Sequence, residues 1–190
     1  MSRGTIVAVL AALVLSGCSM VGLEITEETF KDFPNPPKAT WLTRHASMTG
    51  YEYVEVWPAR NATGEVLEND VTELITEVVR ENLEEYGYTD QYGTDTPKKV
   101  LVVRLNLMSY EAGSGLRRMI CQKSGQGAAQ VTILAELLDK RYNKVIGEVV
   151  VDDDIRGCFW GLPIPGAATR IVSRASEQVA VQIHEKLNSF

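Results

Sequence analysis

The chain has few of the residues from which metal and nucleophilic sites are most often built. It contains three cysteines and two histidines among 190 residues. His45 and His184 are far apart in sequence and no C-x-x-C spacing occurs, so no zinc site is expected. No serine lies in a G-x-S-x-G context, and no P-loop or dinucleotide-binding motif is present. The sequence therefore predicts no catalytic residues, no metal site and no cofactor.

The charge balance lacks the basic excess that nucleic-acid binding requires. The chain carries 25 acidic and 19 basic residues, which gives a formal net charge of -6. Neutralising phosphates needs clustered lysine and arginine, so no nucleic-acid partner is expected. Anionic lipid headgroups also repel an acidic chain. We therefore expect membrane attachment to depend on lipid and not on charge.

The longest apolar run lies at the N-terminus, at residues 6–15, after Arg3 and before the small residues Ser16 and Gly17. The run is shorter than the ~20 residues that span a bilayer, and its flanks are those of an export signal. The segment Leu15-Ser16-Gly17-Cys18 resembles the lipobox of bacterial lipoproteins. This resemblance implies a signal peptide at residues 1–17 and lipid on Cys18. The alternatives are an ordinary cleaved signal and an uncleaved anchor.

Lipidation of Cys18 would fix the location of the protein. Two acyl chains suffice for stable anchoring. Ser19 follows the cysteine, where aspartate would resemble an inner-membrane retention signal. We therefore expect an outer-membrane anchor facing the periplasm, or an anchor in the cell membrane if the organism has no outer membrane.

The two other cysteines, Cys121 and Cys158, lie in sequence that predicts loops. An even remainder in an oxidising compartment favours a disulfide between them. The alternative is two free thiols.

Two regions follow the signal. Residues 18–50 predict a tether, because Pro34, Pro36 and Pro37 favour extended structure. Some of its apolar residues, such as Trp41 and Leu42, are able to dock onto the domain. Residues 51–190 predict a single domain, as the length and composition suggest.

The pattern within residues 51–190 predicts the order β-α-β-β-β-α. Strands are expected at residues 51–57, 100–109, 129–138 and 144–151, with Pro58 ending the first. Helices are expected at residues 70–86 and 168–187. The predicted fold is an α+β two-layer sandwich, in which both helices cover one face of a four-stranded, largely antiparallel sheet.

Finer signals accompany these elements. Asp70 and Glu73 fit a capping box, and Gly87 fits the left-handed position after a helix. In the second strand Arg104 and Asn106 point to the wetter face. The apolar stripes of the helices and the opposite face of that strand are expected in the core. These stripes comprise Val71, Leu74, Ile75, Val78 and Leu83 in the first helix, Ile171, Ala175, Val179, Ile183 and Leu187 in the second, and Leu101, Val103, Leu105 and Leu107 in the strand.

The middle of the chain resembles a bacterial lipoprotein family of unknown function. The resemblance rests on Gly113-Ser114, Arg117 and Gly125-Gln126-Gly127-Ala128, followed by an alternating strand and a turn at Asp139. It spans about residues 100–154. The layout is also similar to the α/β module of the TolB amino-terminal domain, of curli-type secretion lipoproteins and of auxiliary lipoproteins in lipid-transport ABC systems. These resemblances imply binding and assembly in the cell envelope.

Three residues are candidates for partner binding. Arg117 and Arg118, with Lys123, either bind a partner carboxylate or lipid headgroup, or pair with the acidic run at residues 152–154. Carboxylates at consecutive strand positions point to opposite faces, so this run does not predict a calcium site. Trp160 lies in an apolar loop that either contacts a partner or membrane, or packs over the end of the sheet.

We expect a non-enzymatic interaction or assembly module of the periplasm with an envelope protein partner. One alternative is an auxiliary lipoprotein of an ABC-type lipid or small-molecule transport system. A hydrolase is the other alternative, because catalytic groups from distant positions can converge in space. The sequence leaves the oligomeric state open.

Overall fold

The described part of the chain forms seven secondary-structure elements. The computed structural model describes residues 36–42, 48–51, 53–67, 70–90, 99–113, 129–155 and 166–189. In chain order the elements are β1 (Lys38–Trp41), β2 (Tyr53–Asn61), α1 (Val71–Glu85), β3 (Val100–Glu111), β4 (Ala129–Asp139), β5 (Lys144–Ile155) and α2 (Ala167–Asn188). None of the helices in these ranges is long and apolar enough to cross a membrane.

The five strands form one mixed sheet in the order β1-β5-β4-β3-β2. β2 runs parallel to β3, and the other three pairings are antiparallel. α1 packs on β2 and β3, α2 packs on β1, β4 and β5, and the two helices pack on each other. The predicted α+β class with two helices is confirmed, whereas the predicted count of four strands is wrong.

β1 is the strand that the sequence pattern did not predict. It lies inside the segment assigned to the tether and pairs antiparallel with β5, with Lys38 opposite Asp152 and Trp41 opposite Val149. Four residues are too few to show a period-2 pattern, and the preceding prolines indicate extended chain without indicating pairing. Contacts place Pro36–Phe190 in one compact unit, so β1 belongs to the domain.

The parallel pairing of β2 and β3 follows from the helix between them. Parallel neighbours need a crossover connection, and α1 supplies it. β2 also runs past Pro58 to Asn61, so the predicted end at Pro58 is wrong. The register of β2 against β3 shifts between Trp57 and Arg60. An edge strand tolerates proline at such an irregularity, because no ladder bond is lost there.

α1 begins and ends differently from the prediction at one of its two ends. Asp70 makes no side-chain capping bond, so the predicted capping box does not form. Its ψ of 50° lies outside the extended region that a capping residue normally occupies. At the other end Gly87 has a φ of +89°. The N–H of Gly87 donates to the Glu84 carbonyl and that of Tyr88 to the Leu83 carbonyl, as in a Schellman motif. The predicted glycine stop is confirmed.

The core lies between the helices and one face of the sheet. The predicted stripe of α2 and the predicted inner face of β3 are buried. The stripe of α1 is only partly correct, because Leu74 and Val78 are half-buried and Thr76 and Val79 are buried instead. Fully buried side chains include Ile75, Val79, Leu101, Leu105, Leu107, Ile133, Leu137, Ile171 and Ile183.

Candidate interaction surface

The sheet face that points away from the helices carries a row of charged and aromatic side chains. We call this surface the open face. Glu148, Glu136, Arg104 and Trp57 are register partners across β5, β4, β3 and β2. Register partners share a face and their side chains are neighbours. The row is therefore one continuous strip across four strands.

Arg104 and Glu136 form the centre of this strip. The Arg104 Nε and Nη2 atoms donate to the two carboxylate oxygens of Glu136 at 2.8 and 2.9 Å, which is a bidentate pair. The Asn106 amide also donates to Glu136 Oε2 at 2.9 Å. The side chains of Arg104 and Glu136 are 26% and 18% exposed. The hydrogen bonds from Arg104 hold the pKa of Glu136 below its usual value, although burial opposes the shift.

A second ionic group lies at the β2 side of the open face. Glu55 accepts a hydrogen bond from the Trp57 indole N–H at 2.9 Å and an ion pair from Lys140 in the turn after β4. Burial raises the pKa of Glu55, but the hydrogen bonds from Lys140 and Trp57 outweigh burial and lower the pKa overall. Trp57 is thereby fixed beside two charged groups.

Apolar side chains alternate with these charges on the same face. Val102 and Leu138 are register partners and are 2% and 4% exposed. Leu134 and Val150 are also register partners and are half-buried. The open face thus combines apolar rows with rows of fixed, paired charges. Because both oxygens of Glu136 and both oxygens of Glu55 already accept bonds, the surface suits recognition better than proton transfer.

The acidic run near the end of β5 divides between the two faces, as the alternation predicts. Asp152 is exposed and accepts a hydrogen bond from Thr132 at 2.7 Å. Asp153 points under α2 and is 5% exposed. Its Oδ2 atom lies 3.5 Å from Arg174 Nε without a hydrogen bond. Burial raises the pKa of Asp153 to about 6, and the Arg174 charge opposes this shift.

The predicted site residues cannot be placed relative to these groups. All of them lie outside the described residues: Cys18, Arg117, Arg118, Cys121, Cys158 and Trp160. Their proposed roles stay predictions. The described ranges contain no group of three or more side chains able to hold a metal ion.

The sequence indicated part of the open face. Arg104 and Asn106 lie on the face predicted to be wetter, and this prediction is confirmed. Their partner Glu136 was missed, because it comes from a strand 32 residues away from Arg104. Opposite charges at polar positions of two alternating strands are the available signal, and using it requires the register between them.

The fold and the open face define a two-layer α+β domain with one sheet face uncovered by helices. Residues 59–155 match the model of the Domain of unknown function (DUF4410). Because this match covers more than half of the chain, the chain belongs to the DUF4410 family. The Gly-Ser…Arg…Gly-x-Gly-Ala motif and the likeness to the TolB module stay predictions. No curated protein sequence matches the chain.

Several solved structures share the fold at low sequence identity. The PelC dodecamer from Paraburkholderia phytofirmans is 12% identical, with 80% of this chain and 99% of that chain covered and a TM-score of 0.52. Protein XCC0632 from Xanthomonas campestris, of the DUF330 family, is 13% identical over 71% of this chain and 82% of that chain, with a TM-score of 0.49. The DUF4136 protein BT2437 from Bacteroides thetaiotaomicron is 10% identical over 80% of this chain and 96% of that chain, with a TM-score of 0.44.

Proposed function

We propose that the protein is a non-enzymatic, lipid-anchored interaction module of the cell envelope that binds a protein partner through its open face. The observation that carries this proposal is the strip of paired charges beside Trp57. The Arg104–Glu136 pair is held by two parallel hydrogen bonds, so it presents a fixed pattern to a partner without further ordering. Aromatic and arginine side chains are also enriched at binding interfaces.

The anchor belongs to the same proposal. The lipobox at Leu15-Ser16-Gly17-Cys18 would place lipid on Cys18 and hold the domain at one membrane surface. Confinement near that surface raises the effective concentration of membrane-bound partners. PelC is a dodecamer, and we take from this only that assembly of like subunits is worth testing for the present chain.

The anchor is tested with the full chain and a Cys18→Ser variant. Metabolic labelling with a palmitate analogue should mark the unaltered chain, which should fractionate with membranes. The variant should lose the label. An unaltered chain without label, or a labelled variant, contradicts the anchor.

Partner binding is tested by placing a photo-reactive amino acid on the open face in intact cells. Leu134 is the position of choice because it is half-buried at the centre of that face. Glu81, exposed on α1, is the matched control. We expect a defined protein adduct from position 134 and none from position 81. Equal adducts from both positions, or none from position 134, contradict the proposal, and an adduct to lipid instead favours the transport-auxiliary alternative.

A further inference from the structure

The two edges of the sheet differ in how their main-chain groups are used. On the β2 edge, the N–H of Val54 donates to the Thr89 carbonyl at 3.2 Å, and the N–H of Ala59 donates to the Thr76 hydroxyl at 2.8 Å. Pro58, which lies between these positions, has no N–H to donate. An incoming strand would find these outward groups already occupied or missing. The β2 edge is therefore closed to strand pairing.

The β1 edge has the opposite character. The N–H of Leu42 donates to the Glu148 carbonyl at 2.9 Å, which fixes the alternation along β1. Thr40 and Lys38 then direct their main-chain groups toward β5, and Ala39 and Trp41 direct theirs away from the sheet. Within the described ranges, these outward groups of Ala39 and Trp41 have no main-chain partner. Such an edge is a template for another strand.

We propose that β1 pairs antiparallel with β1 of a second copy of this chain, across a two-fold axis at Thr40. The two five-stranded sheets would then form one continuous sheet of ten strands. Since the β2 edge is closed, edge-to-edge joining of two copies has to use β1 on both sides. This gives a symmetric contact that closes as a dimer.

The side chains of β1 favour the register centred on Thr40. In this register Ala39 faces Trp41 of the second copy, so a small side chain meets a large one. Trp41 is held in place by a hydrogen bond from its indole N–H to Gln182 at 3.0 Å and by Lys186, whose Nζ lies 5.6 Å from the ring centre. The outward groups of Ala39 and Trp41 then make four main-chain bonds across the axis.

Neighbouring registers lose one of these features. Centring the axis on Ala39 places Trp41 opposite Pro37, which has no N–H to donate. Centring it on Trp41 sets two indole rings against each other. The Thr40 register is the one that uses every outward donor of Ala39 and Trp41 and avoids that ring contact.

The position of β1 along the chain explains why the partner is a second copy, and this step rests on the anchor proposed above. Eighteen residues separate Cys18 from Pro36, so β1 begins at most about 60 Å from the lipid. Two copies in one membrane therefore hold their β1 edges in the same layer. Four main-chain bonds make a weak contact in solution, and confinement raises its occupancy. We expect the dimer in the membrane.

The proposal is tested by disulfide trapping of full-length Thr40→Cys in its native membrane. In a non-hydrogen-bonded antiparallel pair the two Cα atoms lie about 4.5 Å apart, within the span of a disulfide. We expect mild oxidation to give at least several-fold more covalent dimer than the unaltered chain, which keeps Cys121 and Cys158 and sets the background. Lys38→Cys, exposed on the same strand, is the matched control and should stay at background. Its two copies would lie about 13 Å apart along the strands.

Two further arms keep the result decisive. Co-expressed Lys38→Cys and Leu42→Cys copies with different tags should link to each other, because these positions face across the axis. Ala39→Pro removes an outward donor and leaves the β1–β5 bonds intact, so it should abolish the Thr40→Cys link without lowering Tm. No Thr40→Cys dimer, or equal linking of Thr40→Cys and Lys38→Cys, overturns the proposal. Because anchor labelling is read on the same samples, a labelled chain that does not link refutes only the pairing.

Discussion

Asp153 and Glu136 are carboxylates on opposite faces of the same sheet, and their surroundings move their pKa values in opposite directions. Asp153 lies under α2, where burial raises its pKa to about 6 and Arg174 opposes the shift only through a 3.5 Å contact. Glu136 lies on the open face, where direct hydrogen bonds from Arg104 lower its pKa. Direct bonds to the charged form outweigh partial burial, and a distant charge does not outweigh full burial.

The difference separates the roles of the two faces. The helix-covered face stabilises the fold through apolar packing, and the one charge buried among its described residues opposes stability at neutral pH. The open face holds its charges in ordered pairs that are half-exposed. A surface of this kind can keep a binding pattern ready while the opposite face supplies the folding free energy.

The sharpest contrast between the faces is expected from matched truncations of leucine. Leu105 is fully buried against the helices, and Leu134 is half-buried on the open face. Leu105→Ala should lower the free energy of unfolding by about 2–5 kcal/mol, because it leaves a cavity. Leu134→Ala should cost about 1 kcal/mol or less, since part of its surface is already in water. Urea unfolding of both variants measures the difference, and equal losses would show that the open face is covered.

Asp153→Asn tests the buried charge. Below pH 3.8 Asp153 is protonated in both folded and unfolded chains, and between 3.8 and about 6 only the folded chain keeps the proton. The stability of the unaltered protein relative to the variant should therefore fall as pH rises from 4 to 7, by up to about 3 kcal/mol. Unfolding free energies across this range give the slope. A difference between the two proteins that does not change with pH would contradict the raised pKa.

Glu136→Gln should show the opposite pH dependence. The lowered pKa means that the ionised carboxylate stabilises the folded state above the ordinary value of 4.5, and that this contribution is lost as pH falls through the folded pKa. We expect the variant to lose about 1–2 kcal/mol at pH 7, because Arg104 and Asn106 lose a charged acceptor. The loss should shrink below pH 4.5. A loss that grows at low pH would refute the pairing.

The sequence predicted each face better than it predicted the connections between strands. Alternation in β3 placed Leu105 inside and Arg104 outside, because burial of one face imposes a period of two. The partner of Arg104 depends on the register between β3 and β4, and this is set across a connection too long for any turn rule to specify. β1 was missed for a related reason: four residues carry no period, and their pairing with β5 depends on contacts made far along the chain.

The parallel pairing of β2 and β3 was within reach of sequence reasoning. A strand, a helix and a second strand in succession form a crossover unit, and such a unit returns the chain in the same direction when both strands are neighbours. The predicted antiparallel order gave more weight to the hairpin formed by β4 and β5, which the turn at Asp139 indicated correctly. Pro58 misled in a similar way, since an edge strand tolerates what a central strand excludes.

The smallest effect should come from the ion pair at the rim of the open face. Lys140 is 41% exposed and pairs with Glu55, which also accepts the bond from Trp57. Lys140→Met should change the free energy of unfolding by about 0.5 kcal/mol or less, because solvent screens an exposed pair and Trp57 still holds Glu55. The same substitution should weaken the adduct formed from position 134 if the partner uses this strip. A large loss of stability would instead show that the rim of the open face supports folding, and the division of labour between the two faces would not hold.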